Sequence, residues 1–180
     1  MTPHLLVQQF PLGDRPSNWS SAMTTYWVLT YTIDTNGKLV FSYKEPTAVP
    51  ATEVRSFQDL LSLTLSEPKS LLDLKVYDHT FIEIWLDPTL NMQWSRKYDA
   101  ITTKDDYRQY YFELRLREGD TLYTVDQFPG SATPLVARFG ALHRAHLPPE
   151  NHGFSMNIEL VDGQSSLPIT IDPDIRNPSV

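Results

Sequence analysis

Apolar and polar residues alternate along much of this chain. Trp27, Leu29, Tyr31 and Ile33 fall on one side of an extended segment, with Val28, Thr30 and Thr32 on the other. That period of two is the signature of a half-buried β-strand. Leu39, Phe41 and Tyr43 continue the pattern after Asp34-Thr35-Asn36-Gly37. Asn-Gly between two alternating runs predicts a hairpin with a two-residue type I′ turn, since both residues tolerate positive φ. Tyr110, Phe112, Leu114 and Leu116 alternate with Tyr111, Glu113, Arg115 and Arg117, which predicts one buried and one solvated face. Glu118-Gly119-Asp120 then turns the chain into a strand over residues 121–125. Phe154, Met156, Ile158 and Leu160 form another such strand, and Asp162-Gly163 turns it into Leu167, Ile169 and Ile171. Pro168 inside that last run marks an edge strand, where a missing N–H does no harm. Two more strands are expected around Leu72, Leu74 and Val76 and around Ile82, Ile84 and Leu86.

One-sided burial throughout predicts antiparallel sheets, because strands covered on both faces read as unbroken apolar runs. So many half-apolar strands need two layers to hide their inner faces. The expected fold is therefore an all-β, antiparallel two-layer β-sandwich, jelly-roll or Ig-like, forming one domain over residues 1–180. Helix is scarce. Ser56 precedes Asp59 by three positions, a pattern that predicts one capped helical turn before Leu60 and Leu61. Residues 11–21 and 147–152 read as the long loops.

Composition narrows the function more than it identifies it. The chain has 41% apolar residues, sufficient for a core, and a formal net charge of −7 that argues against a phosphate-backbone footprint. No nucleic-acid partner is expected, and the densest basic stretch, residues 138–144, holds only Arg138, His143 and Arg144. The absence of cysteine excludes disulfides, thiolate catalysis and cysteine-ligated metals. No basic, apolar leader opens the sequence and no run approaches a membrane span, so a cytoplasmic protein with no membrane partner is expected. The seven glycines are never closer than ten residues, so no Gly-rich phosphate loop or nucleophile elbow occurs. No cofactor is expected.

Two candidate sites remain. Glu83 shares a strand face with Phe81 and Trp85, and Trp94 follows shortly after. A carboxylate among aromatic rings suits a sugar or another small polar ligand. His143, His146 and His152 crowd into ten residues and would suit a divalent metal if they converged. Asp34 and Asn36, like Asp172, Asp174 and Asn177, read as turn caps in preference to calcium ligands.

The C-terminal stretch FSMNIEL at 154–160, followed by LPITIDPDIRNP at 167–178, resembles the ending of small uncharacterised bacterial proteins that carry the label nucleotide synthetase. Those proteins are similar to the bacterial inclusion-body protein family. The resemblance implies a β-sandwich-like fold in which the Asp-Pro-x-Ile-x-Asn segment closes the final strand, and it transfers no catalytic residue. The resulting expectation is a soluble bacterial binding or self-associating protein, taking a carbohydrate or small polar ligand and forming a homo-oligomer. The alternatives are a metal-dependent enzyme centred on His143, His146 and His152, or a structural and storage assembly.

Overall fold

The computed structural model describes residues 24–44, 56–62, 74–75, 80–103, 111–141, 151–172 and 174–176. Twelve strands are present there: β1 (Thr24–Ile33), β2 (Leu39–Lys44), β3 (Leu74–Lys75), β4 (Thr80–Leu86), β5 (Met92–Trp94), β6 (Ile101–Thr103), β7 (Tyr111–Glu118), β8 (Thr121–Tyr123), β9 (Val136–Ala141), β10 (Asn151–Asp162), β11 (Ser165–Ile171) and β12 (Asp174–Arg176). One short helix, α1 (Phe57–Ser62), precedes β3.

The first sheet has the order β2-β1-β4-β9-β7-β8. The second is built on β10, which pairs with β11 along one edge. Along its other edge it pairs in succession with β5, β6 and β12. The layers share one core. Trp27, Leu29, Ile82, Ile84, Phe139 and Leu116 from the first sheet meet Trp94, Phe154, Met156 and Ile158 from the second. Phe139 and Phe154 touch across the gap with ring centroids 5.9 Å apart.

The antiparallel expectation holds for most pairs and fails for two. β1 runs parallel to β4, and β12 runs parallel to β3. The cause lies in burial. Tyr26, Trp27, Val28 and Leu29 are all buried, as are Ile82 through Leu86. Strands covered on both faces tolerate the parallel arrangement, whose crossover places chain over the sheet. Here α1 belongs to that crossover, and its Leu60 packs with Tyr26, Val28, Trp85 and Val136 on the face opposite the main core.

Local chemistry follows the sequence closely. Asp59 N–H donates to Ser56 Oγ (3.2 Å) while Ser56 N–H donates to Asp59 Oδ2 (2.9 Å), so each residue caps the other at the start of α1. The β1–β2 turn is one residue longer than the predicted pair. Asp34 N–H donates to the Lys38 carbonyl (2.9 Å), enclosing Thr35, Asn36 and Gly37. Gly37 takes the positive φ of 77°, and Asp34 Oδ1 accepts from the N–H groups of Asn36 and Lys38. That carboxylate is thus occupied by the turn itself. β11, with Pro168, lies at a sheet edge as expected.

On the outer face of the second sheet Asn157 is buried and fully used. Its Nδ2 donates to the Asp99 carbonyl (2.8 Å), and its Oδ1 accepts from Thr170 Oγ1 (3.0 Å). Burial pushes the Asp99 carboxyl up to about 6 from its ordinary 3.8.

Three outcomes are expected. Phe139→Ala should cost about 3–5 kcal/mol in a urea titration, because it empties the layer interface. Leu167→Ser, at a side chain that is 60% exposed, should stay within about 0.5 kcal/mol. For Asp99 the folded protein binds its proton more tightly than the unfolded chain does, so stability falls as pH rises from about 4 through about 6. Asp99→Asn should therefore melt higher than the parent at pH 7.5, by about 1 kcal/mol after solvent screening of a half-exposed group. The gain should vanish below pH 4, as read by thermal melts across the pH range.

Candidate functional site

The second face of the first sheet forms a grid set by strand register. Tyr26 lies opposite Glu83 on β4, Glu83 opposite Arg138 on β9, and Arg138 opposite Arg115 on β7. The neighbouring row runs Val28, Trp85, Val136 and Arg117. On the other side Thr24 lies opposite Phe81. Between Phe112 and Arg115 the β7–β9 register shifts by a bulge, a device that re-aims side chains. It sets Arg115 and Arg117 on the same face as Arg138 and leaves Leu114 in the core.

Glu83 is 0% exposed, and two guanidiniums meet it. Arg117, 8% exposed, places Nη1 3.0 Å from Glu83 Oε2. Its Nε donates to the Gly119 carbonyl (2.8 Å), and its guanidinium carbon lies 5.4 Å from the Trp85 ring centroid. Trp85 Nε1 donates to the same Oε2 at 3.0 Å. That carboxylate oxygen is fully served.

The other oxygen is not. Arg138 Nη1 stands 3.6 Å from Glu83 Oε1, an attraction between charges but too long for a hydrogen bond. Among the described residues Oε1 has no hydrogen-bond partner. Arg138 is 16% exposed and sits over Phe81, with its guanidinium carbon 4.1 Å from the ring centroid. Burial raises the Glu83 carboxyl from its ordinary value, opposed by the charges of Arg117 and Arg138 and by the Trp85 and Arg117 hydrogen bonds. Burial lowers Arg138, opposed by Glu83. Tyr26 is pushed up to about 12, first by burial and then by the Glu83 charge, and so stays protonated at neutral pH.

On the paired strands β4, β7 and β9 this face brings together three guanidiniums (Arg115, Arg117, Arg138) and one carboxylate (Glu83). Arg115 and Arg138 are directly opposite one another on paired strands, an arrangement that costs stability when nothing negative lies between them. Arg115 turns one N–H toward the Leu114 carbonyl (3.1 Å).

The sequence-predicted site residues divide between the two faces of the sandwich. Glu83, Phe81 and Trp85 share the arginine face, as alternation requires. Trp94 belongs to the core between the sheets, wholly buried, with its Nε1 donating to the Leu135 carbonyl (3.2 Å). His143 and His146 lie outside the described residues, and His152 is described only through its backbone, which pairs with Ile175 in β12. Among the described residues no three His, Cys, Asp or Glu side chains converge on a metal position.

Arg117 and Arg138 were missed as site residues. Arg117 stands on the face expected to be wet, yet it is buried against Glu83 and Trp85. Arg138 lies in β9, which the alternation search passed over. The available signal was Ala137, Phe139 and Ala141 alternating with Val136 and Arg138.

No helix among the described residues is long and apolar enough to cross a membrane. No curated protein matches the sequence. A family described as "Predicted novel nucleotide synthetase" matches residues 28–180, which takes in every strand of both sheets apart from the first four residues of β1. With five-sixths of its length inside that match, and with the arginine face wholly within it save Thr24 and Tyr26, the chain belongs to the predicted nucleotide synthetase family.

Proposed function

We propose that this chain binds a phosphate-bearing nucleotide on the arginine face of its first sheet, with Arg138 as the principal phosphate contact. One observation carries the reading. Arg138 is largely withdrawn from water, seated over Phe81, and makes no hydrogen bond among the described residues. A guanidinium in that state is a fork of donors without acceptors, and phosphate oxygens match its geometry. Three arginines on the neighbouring strands β7 and β9 favour an anion over a neutral sugar. The aromatic faces point the same way. Arg138 covers Phe81 and Arg117 covers Trp85, so neither approach is free for sugar stacking. The family description supplies the class of anion to try first.

Arg117 has a different role in this reading. It offsets Glu83, and its donors are engaged by Oε2 and the Gly119 carbonyl.

Calorimetric titration with ATP, AMP, inorganic phosphate and glucose tests this. Binding of ATP that weakens as salt is raised, with no response to glucose, is the expected result. Arg138→Met should lower ATP affinity about tenfold or more, consistent with about 1.5–3 kcal/mol for a charged hydrogen bond, and should also lower the melting temperature, because it removes one of the two guanidiniums that offset buried Glu83. Arg117→Met should destabilise the fold by about 3–5 kcal/mol, because it strips a buried carboxylate of its hydrogen-bonded partner. Absence of nucleotide and phosphate binding at millimolar ligand, or unchanged ATP affinity in Arg138→Met, would overturn the assignment.

A further inference from the structure

The unused acceptor beside Arg138 specifies more of the ligand than its phosphate. An ionised carboxylate only accepts hydrogen bonds, and a buried acceptor left without a donor is costly. Glu83 Oε1 is in that position. It is buried on a 0% exposed side chain, has no hydrogen-bond partner among the described residues, and lies 3.6 Å from a guanidinium nitrogen that itself makes none. The neighbouring oxygen, Oε2, takes both the Trp85 indole N–H and the Arg117 guanidinium. Glu83 is therefore held by one oxygen, while the other, buried beside Arg138, accepts no hydrogen bond.

We propose that Glu83 Oε1 accepts a hydrogen bond from a hydroxyl or amine of the same ligand whose phosphate Arg138 holds, so that the site selects a ribonucleotide over a bare polyphosphate. The inference rests on the nucleotide-binding reading above and goes beyond it in assigning a second contact and a specificity. Arg138 and Glu83 form an adjacent donor and acceptor. A phosphate alone satisfies the donor and repels the acceptor, since both are anionic. A phosphate ester with a hydrogen-bond donor nearby satisfies both. Glu83→Gln reverses the local polarity. The Gln carbonyl is retained by Trp85 and Arg117, both donors, which turns the NH2 toward the Oε1 position. An acceptor is thereby replaced with a donor.

The experiment is a calorimetric series on the full chain with ATP, 2′-deoxy-ATP, 3′-deoxy-ATP, purine riboside triphosphate (lacking the 6-amino group) and tripolyphosphate. In the parent protein, one of the three single deletions should weaken binding about tenfold relative to ATP, and which one identifies the donor as a ribose hydroxyl or the base amine. In Glu83→Gln the same deletion should change affinity less than twofold. If ATP and its three deletion analogues bind the parent within twofold of one another, the Glu83 contact is wrong, while the phosphate reading stands. A Glu83→Gln protein that retains the tenfold penalty overturns it equally. If neither ATP nor tripolyphosphate binds, the nucleotide-binding reading itself has failed and this inference fails with it. Should Glu83→Gln not fold, the analogue series on the parent protein decides alone.

Discussion

A carboxylate near the centre of a sheet that is covered on both faces is the constraint around which the first layer is arranged. Transferring an ionised carboxylate out of water is expensive enough that it persists only when opposite charge and hydrogen bonds surround it. Glu83 lies on β4, flanked by β1 and β9, with Ile82 and Ile84 on either side of it in sequence directed to the main core. From Ile82 to Leu86 every residue of that strand is buried. The neighbouring strands must therefore bring the compensation, and they do so through register: β9 sets Arg138 directly opposite, and β7 brings Arg117 from one strand further away.

That dependence makes pairing and electrostatics inseparable. Side chains on a strand alternate between faces, so a slip of β9 by one residue against β4 would move Arg138 into the apolar core and Phe139 onto the charged face. The β7 bulge matters for the same reason, because the extra residue restores Arg115 and Arg117 to the arginine face after Phe112. The aromatic rings supply the second half of the support. Phe81 and Trp85 lie two residues to either side of Glu83 and face the same way, so each offers a ring over which a guanidinium sits beside the carboxylate. The two arginines are thereby restrained, and Glu83 is shielded from water by the groups that compensate it. Leu60 of α1 completes the cover over Trp85 and Val136.

This logic also explains how much was legible before the structure. Alternation located β1, β2, β4, β7, β10 and β11, since each follows a period of two strongly enough to be read locally. The Ser56–Asp59 cap was equally visible because its partners are three residues apart. Parallel pairing of β1 with β4 was not visible, since polar Thr30, Thr32 and Glu83 suggested a wet outer face, whereas α1 packs over Tyr26, Val28 and Trp85 on that side. The aromatic-carboxylate part of the site was legible from Phe81, Glu83 and Trp85 alone. Its cationic part was not. The contact between Glu83 and Arg117 spans 34 residues, and a charged residue on an alternating strand reads by default as solvated. Long-range register decides which charges are buried, and no local pattern carries it.

Membership of a family described as a predicted novel nucleotide synthetase and the lack of any Gly-rich phosphate loop are physically compatible. Such loops place backbone N–H groups around phosphate, and glycine is needed because the main chain itself must come close. A guanidinium reaches its anion from the end of a long side chain and demands no particular backbone conformation, so a rigid sheet is a sufficient platform. What it demands in exchange is restraint, since a long flexible side chain loses rotamer freedom when it binds. Stacking on Phe81 supplies that restraint for Arg138 before any ligand arrives, and partial burial strengthens each charge contact by lowering the local dielectric. In the site proposed above, the groups that would hold phosphate are spread over β4, β7 and β9 as single residues at matching register positions, a pattern that contains no contiguous motif.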